Sequence, residues 1–105
     1  MFSYCDQLES ILLKEKVLLQ RIGEGKCINA VHWNFEDGAV VDLHQHAQEQ
    51  FGYVIQGGLE VTIGDETRLL KAGDAYIIPP NTPHRFVAKG ITEAIDVFTP
   101  IRVVS

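Results

Sequence analysis

His44 and His46 stand two residues apart, Gln50 follows, and His84 ends a segment opened by Gly73 and stiffened by Pro79-Pro80-Asn81. Imidazole nitrogens and an amide oxygen suit first-row transition metals. Three imidazoles and one amide oxygen make a neutral set of four, with room left for water or a substrate oxygen. On a strand, side chains at i and i+2 share a face, which would let His44 and His46 grip one ion together. Glu49 is one residue early, and that slip turns its carboxylate to the opposite face. Gln50 is therefore the expected fourth ligand. A neutral set leaves the ion its full charge, to acidify bound water or favour an anionic substrate oxygen. His32 fits no such spacing; in Val31-His32-Trp33 it alternates away from the apolar face and reads as a surface or interface residue.

A second group lies in Ile95-Asp96-Val97-Phe98-Thr99-Pro100-Ile101-Arg102. Asp96 interrupts an apolar strand, where a carboxylate has poor propensity and is costly to bury unpaired. Period two places Asp96 and Phe98 on one face, joined by Arg102 if the strand stays regular through Pro100. Facing a metal-containing cavity, Asp96 would be a general acid or base, Phe98 an apolar wall and Arg102 a bidentate partner for a substrate carboxylate. The other role open to Asp96 is to accept a hydrogen bond from a ligating histidine or a neighbouring strand.

These groups need a scaffold, and the turn signals describe one. Apolar runs at 17–22, 27–35, 40–43, 51–55, 59–63, 67–70, 75–78, 85–88 and 91–98 read as strands. Between them sit Gly23-Glu24-Gly25, Asp37-Gly38, Gly57-Gly58, Gly64-Asp65, Gly73-Asp74 and Pro79-Pro80-Asn81. With no helical crossover between strands, an antiparallel two-sheet jelly roll or small barrel fits, preceded by a short N-terminal arm. Residues 8–22 could be laid on a helical face, but Glu15 spoils the stripe; the spacing predicts a turn or short helix near 6–12, then a strand from Val17. At 105 residues and 46% apolar, the chain is expected to form one folded domain. A net charge of −5 argues against nucleic acid as a partner, and no apolar run is long enough to cross a membrane. Cys5 and Cys27 read as reduced thiols of a cytoplasmic protein, and no signal peptide is read at the N-terminus. Exposed sheet edges and an apolar N-terminal segment predict a homodimer, with residues near 11–31 at the contact.

The two histidine segments resemble the paired motifs of the cupins. Gly38, five residues, His44-Gln45-His46, three residues, Gln50, six residues, Gly57 is similar to the first motif, with Gln where the family usually has Glu. Gly73, five residues, Pro79-Pro80-Asn81, two residues, His84, three residues, Ala88 is similar to the second, with Asn81 for Gly and Ala88 for Asn. The resemblance implies an all-β jelly-roll cupin over 1–105, with the barrel core about 35–99 and residues 1–30 as arm or strand. The Asp-x-Phe-x-Pro-x-Arg ending is similar to small cupins of pectin and alginate breakdown that open the ring of unsaturated monouronates. That likeness implies a divalent metal (nickel, zinc, manganese or iron) on His44, His46, Gln50 and His84. It implies active-site roles for Asp96, Phe98 and Arg102, and a sugar-acid substrate. An iron-dependent dioxygenase and a non-enzymatic sugar-binding module are the alternative functions.

Overall fold

Short alternating runs broken by turns fold as ten strands: β1 Ile11–Lys14, β2 Val17–Glu24, β3 Asn29–Phe35, β4 Val40–His44, β5 Glu49–Gln56, β6 Gly58–Ile63, β7 Glu66–Lys71, β8 Ala75–Ile78, β9 His84–Ala88 and β10 Thr92–Thr99. The computed structural model describes residues 1–104. A six-stranded sheet, ordered β1-β2-β3-β10-β5-β8, faces a four-stranded sheet, ordered β4-β9-β6-β7, and every ladder is antiparallel. This is the expected jelly roll.

Alternation decides what each strand puts inside. In β3, Val31, Trp33 and Phe35 are buried; in β10, Ala94, Asp96 and Phe98 are; in β5, Gln50, Gly52 and Val54. The facing sheet answers with Leu59, Val61, Phe86 and Ala88, and the apolar core lies between. Removing these side chains from water is the main stabilising contribution to the barrel. Asp96 and Gln50 are buried polar side chains on the inner face of the adjacent strands β10 and β5 of the six-stranded sheet.

The N-terminal expectation needs correction. The turn is there, a 3-10 turn at Cys5–Gln7, but Ile11–Lys14 is a strand paired with β2 rather than helix or free arm. Leu13 faces inward while Leu12 and Leu18 sit opposite each other outside, so the apolar stripe serves a two-sided edge hairpin rather than a helix. His32 lies on the outer face of the six-stranded sheet, between Oε1 of Gln20 (2.8 Å) and Oε1 of Glu93 (2.6 Å). Cys5 and Cys27 are exposed free thiols.

Candidate metal centre

Strict alternation from buried-facing Val41 would put Leu43 inside and His44 outside. The β4–β9 ladder instead slips between Val41 and His44, and the extra residue leaves Leu43 62% exposed and returns His44 to the inner face, directly opposite His84. His46 lies beyond the end of β4, in the loop to β5, so the shared-face argument for His44 and His46 is replaced by a bulge and a loop. That loop is tied down from the other motif: the Asn81 amide donates to the His46 carbonyl (2.7 Å), and Asn81 takes the left-handed conformation (φ 57°) that Asn tolerates. The three rings gather with centroids 4.2, 4.8 and 5.6 Å apart, and their ligand nitrogens lie within 4.8 Å of one another.

Each ring is oriented by the backbone. Nδ1 of His44 meets the Asp42 carbonyl at 2.8 Å, Nδ1 of His46 the Gln48 carbonyl at 3.0 Å, and Nδ1 of His84 the Thr82 carbonyl at 2.8 Å. A carbonyl can only accept, so each Nδ1 carries the hydrogen and each Nε2 is left with its lone pair. Nε2 of His84 is buried with no hydrogen-bond partner, which is costly for a polar atom unless a ligand takes it up. Nε2 of His46 faces Oε1 of Gln50 at 3.0 Å, so two acceptors confront each other. An orphaned imidazole nitrogen and a pair of opposed lone pairs are what a cation would satisfy, and the donor set fits a first-row divalent ion. Glu49 is exposed on the opposite face from buried Gln50.

Burial disfavours the charged form of His84 and His46. It pushes His84 down to about 4, with the nearby His44, His46 and Arg102 charges adding to the effect; burial and then Arg102 lower His46. A pH dependence follows. Because His84 titrates at about 4 in the native state against 6.5 ordinarily, the unfolded chain takes up a proton that the folded one refuses between those values. The contribution of His84 to the stability of metal-free protein should therefore be fully present above pH 6.5 and be lost as pH falls towards 4. Urea midpoints across that range would read this, and His84→Ala should flatten the slope; equal slopes would refute it.

Beside the cluster lies a cavity of about 190 Å³, lined among others by His44, Gln50, Tyr76, Asp96, Phe98 and Arg102. Asp96 is 3% exposed, yet it accepts from Tyr76 Oη–H (2.5 Å) and Trp33 Nε1–H (2.8 Å). Burial raises its pKa, and those donors, with Arg102, pull the other way. Tyr76 is pushed well above the usual phenol range by burial and by Asp96. The Phe98 ring lies edge-on to His46 (5.7 Å between centroids), with the Arg102 guanidinium 5.4 Å from the Phe98 centroid. Arg102 reaches this place from outside the strand, since β10 ends at Thr99. Burial lowers its pKa while Asp96 supports its charge. Trp33 and Tyr76 were not among the residues expected here; their signal is that a buried indole N–H or phenol needs a partner. Gly52 makes the room for Tyr76: a Cβ there would stand 1.9 Å from the ring.

The family model of the cupin domain matches residues 31–98. The chain is a cupin. KdgF, a pectin degradation protein of Dickeya dadantii (strain 3937), is 33% identical to this cupin in an alignment that covers 79% of this chain and 86% of that protein. The structure of KdgF from a Halomonas species superposes with a TM-score of 0.93 at 34% identity, covering 97% of this chain and 96% of that one. The H2HPP isomerase of Bacillus subtilis is 51% identical over 45 residues, 42% of this cupin, and the match spans about a fifth (19%) of that protein's length.

Proposed function

We propose that this cupin opens the ring of 4,5-unsaturated monouronates. The observation that carries the reading is one cavity in which His44 and Gln50 share the wall with Asp96, Phe98 and Arg102. Near-full-length similarity to two KdgF proteins, one of them a pectin degradation protein, supports the substrate class. The substrate is a cyclic enol ether that is also a hemiacetal. When its anomeric hydroxyl loses a proton, the bond from that carbon to the ring oxygen breaks. An aldehyde forms and the electron pair goes to the ring oxygen as an enolate. A proton delivered to C4 then gives the open ketone, with no net gain or loss of protons. A divalent ion on His44, His46, Gln50 and His84 would supply positive charge where oxygen becomes anionic. Asp96 takes the hydroxyl proton and delivers one to C4; burial lifts its proton affinity towards that task, and Tyr76 and Trp33 hold its two oxygens in place. Arg102 binds the substrate carboxylate, and Phe98 excludes water between the arginine and the imidazoles.

The test is loss of the ultraviolet absorbance of the conjugated double bond when metal-loaded protein meets an unsaturated monouronate. No loss with any divalent first-row ion would sink the reading, and oxygen uptake with iron would replace it by a dioxygenase. We take residues 1–105 as one cupin domain working in the cytoplasm, where exposed Cys5 and Cys27 stay reduced. We also propose a homodimer. Leu12, Leu18, Phe51, Tyr53, Ile55 and Ile77 stand exposed on the outer face of the six-stranded sheet, an apolar surface for a second copy. Light scattering at micromolar concentration should read a dimer, and Tyr53→Asp a monomer. A monomeric wild type would refute it.

A further inference from the structure

Past Thr99 the chain has neither helix nor strand through Val104, yet its backbone is held at Ile101, Arg102 and Val104 by side chains from elsewhere. Gln48 Nε2 donates to the Ile101 carbonyl (3.1 Å). Asn29 Nδ2 donates to the Arg102 carbonyl and the Arg102 amide donates back to Asn29 Oδ1, both at 2.8 Å. Arg21 Nη2 donates to the Val104 carbonyl (2.6 Å), while the Val104 side chain is buried in the core. Asn29 thus completes both backbone bonds of Arg102 as a neighbouring strand would, from a side chain 8% exposed. Gln48 has a second connection. Its carbonyl accepts the Nδ1–H of His46, so one residue holds an imidazole of the cluster by its backbone and the arginine's segment by its side chain.

We propose that Asn29 and Gln48 are positioning residues that aim Arg102 at the substrate carboxylate, Gln48 fixing its place relative to His46. The inference rests on the reading of Arg102 as the carboxylate-binding residue. Without these bonds, no ladder fixes the backbone from which the guanidinium reaches over Phe98, and a displacement of about 1 Å in a positioning group can cost on the order of 10²-fold.

Galacturonate and its methyl ester, titrated against the fluorescence of Trp33, the single tryptophan and a lining residue of the same cavity, separate carboxylate recognition from general binding. Wild type should prefer the acid and Arg102→Ala should lose that preference. Asn29→Ala and Gln48→Ala should each weaken acid binding roughly tenfold or more and leave the ester unchanged. Metal content should hold in both; Gln48→Ala, at a half-buried loop site, guards against a folding defect at Asn29. Asn29→Ala combined with Arg102→Ala should bind the acid no more weakly than Arg102→Ala alone. Equal loss for acid and ester, an unchanged acid preference in both single variants, or losses that add to that of Arg102→Ala would overturn the inference. So would a wild type indifferent to the carboxylate. Turnover of an unsaturated monouronate, measured alongside, decides the ring-opening reading separately: its absence with an acid preference that needs Asn29 leaves the positioning role standing.

Discussion

Asp96→Asn should slow ring opening by roughly 10²–10⁴-fold, the scale for losing a general acid or base. The substitution is nearly isosteric in a site that can absorb it. An asparagine oxygen can still accept from Trp33 Nε1–H, and its NH₂ can face Tyr76, whose hydroxyl can rotate to accept instead of donate. Fold and metal content should therefore persist while the proton carrier is gone. A thermal melt, elemental analysis and kcat on the same preparation distinguish this from the other role open to Asp96, that of supporting the site by accepting hydrogen bonds from neighbouring strands. Under that role metal would leave and activity would fall only in proportion. Unchanged kcat would remove Asp96 from the chemistry altogether.

His46→Ala should take the protein from about one bound divalent ion per chain to none after dialysis, because a four-ligand site of neutral donors has none to spare. His46 is the candidate ligand to test because it stands on a loop and is half-buried, so its loss does not hollow the core. His84 is fully buried, and truncating it would confound metal loss with a cavity. Glu49→Ala, on the opposite face, should leave the metal untouched. Retention of stoichiometric metal in His46→Ala would break the assignment, as would its loss in Glu49→Ala.

Residue spacing carried much of this molecule. Turn residues set the nine strand positions from Val17 onward, and two motifs named the three imidazoles that converge. Local geometry was harder to read. The bulge that turns His44 inward leaves no mark in the alternation of Val41 and Leu43, since both are apolar and only one is inside. The 11–14 strand was hidden because a stripe of leucines serves a two-sided edge hairpin as well as a helix. The irregular path that brings Arg102 over Phe98 depends on Asn29 and Gln48, residues 73 and 53 positions from their partners, and pairings at such distance follow only from the closed barrel. The same holds for Trp33 and Tyr76 on Asp96.

The three carbonyls behind the imidazoles also settle a question of proton inventory. Most metal sites expel hydrogen ions as they load, because thiols, carboxylic acids or imidazolium must first be stripped. Here the hydrogen of each neutral ring sits on Nδ1, facing Asp42, Gln48 or Thr82, away from the nitrogen that would meet an ion. Loading near neutral pH should release almost none from His46 and His84, whose burial lowers their proton affinity. The calorimetric heat of metal uptake should accordingly be the same in buffers of high and low ionisation enthalpy, and acidification short of protonating the rings should leave affinity unchanged. Occupancy would then track which ions a cell makes available rather than its momentary acidity.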